Sequence, residues 1–142
     1  MKVTALLTGR GGNTLADKNV LPVHGRPLLY YPAMAAKGAN NIDDFYVSSD
    51  CEKILHAASD LGYKQIVRPK ELSTPDAKHI DVIKHALEQL LKENIEPDIL
   101  VVLMANSGTI KTEWIELAIN SIKENPSISA VVPVFNDQDH HP

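Results

Sequence analysis

Residues 2–19, KVTALLTGRGGNTLADKN, constrain this chain more than any other stretch. Residues 3–7 are apolar and suited to a strand, and they run almost directly into Gly9-Arg10-Gly11-Gly12-Asn13. A Lys18-Asn19 pair closes the loop, and a helix-like segment over residues 28–37 follows. Glycines let a chain turn with φ > 0 and leave no side chain between its amides and a ligand. Arg10 and Lys18 add positive charge suited to a polyphosphate, and arginine can grip phosphate with two prongs. Strand, glycine loop with cations, then helix is how a backbone builds a phosphate cradle. The same shape also serves as a tight turn in an ordinary α/β domain with two solvated cations, so the rest of the chain has to decide.

Beyond the loop, short apolar runs alternate with helix-periodic segments. Residues 20–23 are short and apolar, and His24-Gly25-Arg26-Pro27 reads as a turn with Pro27 near a first helical position. Over 28–37 the inward face is expected to be Leu28, Tyr31 and Ala35, with Tyr30 and Met34 beside it. Pro32 has to lie near the first turn, and Gly38 reads as the stop. Phe45-Tyr46-Val47 predicts a strand that runs into Ser48-Ser49-Asp50. Asp50 reads as the N-cap or first-turn acid of a helix over 52–61, whose inward set is Ile54, Leu55, Ala58 and Leu61, with Gly62 closing it. Residues 65–67 predict a third strand, and 68–76 a polar, proline-bearing loop. The helix over 78–93 carries a stripe of Ile80, Ile83, Leu87, Leu90 and Leu91. Residues 98–104 read as a strand covered on both faces. The helix over 112–124 opens on Thr112 as N-cap and turns Trp114, Ile115, Ala118, Ile119 and Ile122 inward. Residues 129–135 predict a last strand.

This alternation predicts a largely parallel sheet with helices on both faces. Ligands of such sheets sit beyond the carboxyl ends of the strands. That edge gathers residues 9–19, 48–50, 68–78 and 105–111 into one expected cleft. With 142 residues, no repeat, no low-complexity tract and no interior linker, the sequence reads as one domain over 1–142. A net charge of −4 gives no basic surface for nucleic acid, so a nucleotide site is expected as a local positive spot on an acidic protein. Cys51 is the only cysteine, which excludes an internal disulfide and a cysteine-rich zinc cluster. Polar Thr8-Gly9-Arg10 interrupts the N-terminal apolar run, and no run is long enough to span a bilayer, so the expected location is the cytoplasm.

Taken in order, several of these segments resemble the acylneuraminate cytidylyltransferases, the CMP-sialic acid synthetases. The family's glycine loop and Lys-Asn are matched by Gly9-Arg10-Gly11-Gly12-Asn13-Thr14 and Lys18-Asn19. Its Gly-Arg-Pro-Leu-like turn is matched by Gly25-Arg26-Pro27-Leu28. Its Val-Ser-Thr-Asp-Ser-Glu-x-Ile is similar to the run from Val47 to Ile54, and its Arg-Pro-x-Glu-Leu to Arg68-Pro69-Lys70-Glu71-Leu72. Its Ile-Asp-Val-Ile-x-His-Ala-Leu resembles the run from Ile80 to Leu87, and its His-His-Pro resembles His140-His141-Pro142.

The resemblance implies a Rossmann-like three-layer nucleotidyltransferase fold. It also implies a reaction in which a hydroxyl of a sialic-acid-like nine-carbon sugar attacks the α-phosphate of CTP and pyrophosphate leaves. Arg10 and Lys18 are then the catalytic cations, with the amides of Gly11 and Gly12 near the phosphates, Gly9 also at the nucleotide, and Asn19 at the ribose or a phosphate. Arg68 and the backbone of Ala77 fall at positions that recognise cytosine, and His79 falls where the family has a serine near the nucleotide. Mg²⁺ is the implied cofactor, with no metal ligand identified in this sequence. Family members continue past His-His-Pro into an arm exchanged in a homodimer and then to a pair of metal-binding aspartates. The sequence stops before both, so it is expected to be the N-terminal part of such an enzyme, lacking the arm and inactive alone. Thr14 stands where the family usually has lysine. Met104 stands where it has glutamine, and cannot copy that amide's hydrogen bonds. The rival expectations are another sugar-nucleotide nucleotidyltransferase, or a nucleotide-binding fragment without turnover. Asp50 reads as a cap before a metal ligand, Arg68 as a base contact or a partner of Glu71, and His56 and His85 as structural or solvated.

Overall fold

A computed structural model describes residues 1–11, 18–125 and 127. In chain order its elements are β1 (Val3–Thr8), β2 (Pro22–Val23), β3 (Arg26–Pro27), α1 (Tyr30–Lys37), β4 (Asp44–Ser49), α2 (Glu52–Ser59), β5 (Lys64–Val67), α3 (His79–Lys92), β6 (Ile99–Met104) and α4 (Thr112–Glu124). Single 3₁₀ turns lie at Lys18–Val20 and Lys70–Leu72. Among the described residues, four parallel strands form one sheet in the order β5-β4-β1-β6.

All six residues of β1 are buried, as a central parallel strand requires. Its alternation divides the core. Val3, Ala5 and Leu7 pack on one face with Leu29 and Ala33, with Ile54 and Leu55 of α2, and with Ile115 and Ile119 of α4. Leu6 packs on the other face with Tyr46, Ile66 and the α3 residues Ala86 and Leu90. The chain thus makes three layers. Each large apolar side chain fully buried here is worth about 1.5–3 kcal/mol relative to exposure.

The connections fix the site. From β1 through α1 to β4, and through α2 to β5, the chain builds outward on one face. From β5 it crosses the other face through α3 and returns on the far side of β1 as β6. The loops after β1 and β6 therefore part at the carboxyl edge, where a doubly wound sheet opens a crevice.

Several expected faces differ. In α1 the buried residues are Pro32, Ala33 and Ala36, rather than Leu28, Tyr31 and Ala35. Small side chains let this helix approach the sheet, while the Tyr31 hydroxyl donates to the Val23 carbonyl and Tyr30 lies under the Arg26 guanidinium. In α3 the buried line is Val82, Ala86 and Leu90, with Ile83 and Leu87 at its margin, whereas Ile80 and Leu91 are 53% and 54% exposed. Ile83, Leu87 and Leu90 of the expected stripe do meet the core, and size alone widened it to Ile80 and Leu91, away from the line through Ala86. Residues 20–23 are no core strand. Leu21 and Val23 are exposed, and β2 and β3 form a small ribbon whose turn, His24 and Gly25, has positive φ at both positions.

Gly38 ends α1 with φ −76°, so no left-handed cap is made. A Cβ there would lie 3.0 Å from Thr112 Oγ1. Thr112 is not the cap of α4 either: Lys111 holds that position, and the Thr112 hydroxyl donates to Ala35 O at 2.7 Å, tying α4 to α1. β6 is less covered than expected, since Leu100, Val101 and Val102 are half-buried and it ends the described sheet. An apolar groove of about 380 Å³ runs between β6 and α4, past Val101, Trp114 and Ile122. The expected strand over 129–135 lies outside the described residues.

Candidate functional site

At the carboxyl edge of the sheet, the ends of β1 and β6, Arg68 after β5 and the start of α3 enclose a cleft of about 640 Å³. Thr8, Gly9 and Arg10 enter it from β1, and Asn19 from the 3₁₀ turn that follows. Arg68, Ala77 and His79 enter from the β5–α3 side, and Met104, Ala105 and Asn106 from β6.

One short segment organises the first two groups. Ser48, Ser49 and Asp50 end β4 and sit between the β1 loop and Arg68. The Ser48 carbonyl accepts from the Gly9 amide at 3.2 Å and from Arg68 Nη2 at 3.1 Å. Ser48 Oγ lies 3.4 Å from Arg68 Nε, and the Ser49 carbonyl accepts from the Arg68 amide at 2.8 Å. Asp50 Oδ1 accepts from the Gly11 amide at 3.0 Å. Across the loop, Asn19 is buried and its Nδ2 donates to the Arg10 carbonyl at 3.3 Å.

Arg68 is 6% exposed, and its hydrogen bonds within the described residues go to Ser48, not Glu71. Burial lowers its pKa from the ordinary arginine value, the Asp50 charge opposes that shift, and Arg10 adds to it. Arg10 and Arg68 therefore repel across the cleft. Two of the five guanidinium N–H donors are used by Ser48, which leaves others for a ligand. An anion between the two arginines would relieve their repulsion.

His79 is the first residue of α3, and its Nε2 lies 3.1 Å from Thr8 Oγ1. The Thr8 hydroxyl also reaches the Leu103 carbonyl at 3.4 Å. When that hydroxyl donates to Leu103, Nε2 of His79 is the donor to Thr8. Although the residue as a whole is exposed, desolvation at this edge lowers the imidazole pKa from its ordinary value, and Arg68 lowers it further.

Of the residues singled out from the sequence, Gly9, Arg10, Asn19, Arg68, Ala77 and His79 all meet in this cleft. Gly11 does not line it, and its amide is engaged by Asp50. The backbone of Lys18 opens the 3₁₀ turn beside Asn19. The Lys18 side chain, Gly12, Asn13, Thr14 and residues 128–142, including Asp137, Asp139, His140 and His141, lie outside the described residues. Asp50 is not the α2 cap, because Cys51 holds that position. Residues 48–50 were expected at this edge, but the bonds of Ser48 to Gly9 and Arg68, the loop-holding role of Asp50, and Thr8 were not singled out from the sequence. The available signal was their place at the carboxyl ends of two adjacent parallel strands.

Among the described residues no group of three His, Cys, Asp or Glu side chains could hold a metal ion, and no carboxylate is in the described lining of the cleft. These residues alone do not fit Mg²⁺. No helix among the described residues is long and apolar enough to cross a membrane.

A family model described as cytidylyltransferase matches residues 9–140. The chain is 30% identical over 129 residues to the pseudaminic acid cytidylyltransferase of Campylobacter jejuni subsp. jejuni serotype O:2, covering 89% of this chain and 56% of that protein. It is 34% identical over 87 residues to the N-acylneuraminate cytidylyltransferase of Escherichia coli O18:K1:H7, covering 61% of this chain and 21% of that protein. Its fold matches a CMP:2-keto-3-deoxy-manno-octonic acid synthetase complexed with CTP at a TM-score of 0.74 and 19% identity, over 90% of this chain and 50% of that one. The three layers are thus those of the Rossmann-like nucleotidyltransferase fold. The chain spans about half the length of the first and third of these proteins and less of the second.

Proposed function

The chain belongs to the cytidylyltransferase family, and on that premise we propose that its cleft holds CTP for transfer of CMP to a sialic-acid-like nine-carbon keto sugar. The observation that carries the reading is the convergence of Gly9, Arg10, Asn19, Arg68, Ala77 and His79 on one cleft. In the reaction a sugar hydroxyl attacks the α-phosphorus, the bond to the bridging oxygen breaks, and pyrophosphate leaves. Charge builds on the departing phosphates, and preorganised cations there lower the barrier. Arg10 and Lys18 are assigned that role, with Asn19 at the ribose or a phosphate. Arg68 and the Ala77 backbone face the base, and His79 lies beside the nucleotide. The cations act from the chain itself, and the described residues supply no ligand set for the Mg²⁺ proposed as cofactor.

The sialic-acid type of acceptor is supported by the two sequence relatives named for pseudaminic acid and N-acylneuraminate. The structural neighbour is named for an octonic acid and two further sequence relatives for octulosonates, which are the rival acceptors. Pyrophosphate release from CTP is the test, with N-acylneuraminate, pseudaminic acid and 2-keto-3-deoxy-manno-octonic acid offered in turn. Release with either of the first two supports the reading. Release with the octonic acid alone reassigns the acceptor. Release from ATP or GTP in preference to CTP refutes the cytidylyl reading. The carboxylate-free described lining favours a second reading, nucleotide binding without turnover by this stretch of chain. CTP binding with no release for any acceptor is its signature.

A further inference from the structure

We propose that Asp50 is a positioning residue for the triphosphate: by accepting the Gly11 amide it sets the path of residues 9–11 and delivers Arg10 to the cleft opposite Arg68. The inference rests on the CTP reading above and adds a residue outside the cleft lining. Asp50 and Gly11 are 39 positions apart in sequence and 3.0 Å apart at the hydrogen bond. The contact extends a series. Gly9 is bonded to Ser48 of β4, so the chain leaving β1 continues alongside the chain leaving β4, and Asp50 makes the next tie. Arg10 lies between these two ties and is held from a third side by Asn19 through its carbonyl. The backbone around Arg10 is thereby fixed at three consecutive residues by groups from two other parts of the chain.

The fit leaves little slack. A Cβ on Gly11 would lie 3.0 Å from Cys51 Cβ and 3.8 Å from Asp50 Oδ1, so the loop lies directly against the start of α2. The same carboxylate favours the charged form of Arg68 against the opposing effects of burial and Arg10. The Gly11 amide is used by this bond, so in this arrangement it is no phosphate donor. What Asp50 gives the site is the direction of Arg10. A preset loop loses less conformational freedom on binding, which appears as affinity.

The experiment measures CTP affinity by calorimetry for the wild-type chain, Asp50→Ala and Asp50→Asn, and follows the Gly11 amide resonance in the same three proteins. The asparagine variant keeps an acceptor oxygen and removes the charge. Loss of a hydrogen bond to a charged group predicts about tenfold weaker CTP binding in Asp50→Ala, with Asp50→Asn recovering to within about threefold of wild type. The Gly11 amide resonance should shift in the alanine variant and return toward its wild-type position in the asparagine variant, while amide resonances of the core strand β1 stay in place in both. Wild-type affinity in Asp50→Ala, tighter binding in it, or equal loss in both variants would overturn the positioning role while leaving the CTP reading in place. Failure of the wild-type chain to bind CTP would remove the CTP reading itself and this inference with it.

Discussion

On one wall of the cleft, Gly9, Gly11 and Arg68 are all bonded to the three residues Ser48–Asp50, and Ser48 and Ser49 are wholly buried. On the other wall, at the end of β6, Met104 is 49% exposed, and among the described residues its carbonyl accepts from the Ser107 amide in a local turn. The first wall is preorganised: Ser48 holds the Arg68 guanidinium, and Asn19 holds the backbone of Arg10. The second offers an adaptable thioether side chain and few fixed directions. A polyphosphate needs fixed charge, and the first wall supplies it. Under the proposed function, choice among acceptors is assigned to the second wall, where Met104 stands in place of the glutamine of the family that the sequence resembles.

The largest expected effect separates the walls directly. Arg68→Ala should weaken CTP binding by about 10–100-fold, the loss of one or two hydrogen bonds to a charged group. Arg68→Lys should restore only part, because a lysine cannot span two acceptors as a guanidinium does. Met104→Ala should change CTP affinity by less than about threefold, since it removes only weak apolar contact. Calorimetric titration of the three variants checks this, and equal losses from both walls would erase the distinction.

Gly9 stands where the walls meet. A Cβ there would lie 3.0 Å from Ala105 Cβ and 3.3 Å from Ile54 Cγ2. Gly9→Val should therefore cost about 1–3 kcal/mol of stability through overpacking, read as a lower denaturant midpoint with an unchanged slope. A variant with wild-type stability would show that the two walls are not in register through this residue.

Much of this was legible in the sequence. The strand, the glycine loop and the helix alternation gave the layers, the order of the segments brought Arg10, Asn19 and Arg68 to one edge, and His79 was marked by the family resemblance. What was missed has a common cause. Asp50 read as a helix cap because capping is local, whereas its partner is Gly11 on a neighbouring loop. Val82 and Ala86 were passed over for Ile80 and Leu91, because side-chain size in sequence does not reveal which side of a helix meets Tyr46 and Ile66. Thr112 looked like a cap, yet its hydroxyl is spent on Ala35 in another helix. Each miss is a long-range contact that no local pattern encodes.

The smallest expected effect concerns His79. Its pKa is lowered in the folded chain, by desolvation first and Arg68 second, so the unfolded chain binds the proton more readily. Stability should then fall as pH drops below about 6.5, the ordinary imidazole value, and stop falling through this group once the folded imidazole is also protonated. His79→Asn should flatten that part of the stability–pH curve. An unchanged curve would show that His79 is not held neutral by the first wall.

The central claim is that CTP occupies the cleft against the preorganised wall. Amide resonances followed during titration of the ¹⁵N-labelled chain with CTP, and separately with ATP, test it residue by residue. The predicted result is saturable shifts with CTP at Gly9, Arg10, Asn19, Arg68, Ala77 and His79, larger than with ATP. Shifts confined to the groove between β6 and α4, or none at all, would contradict it.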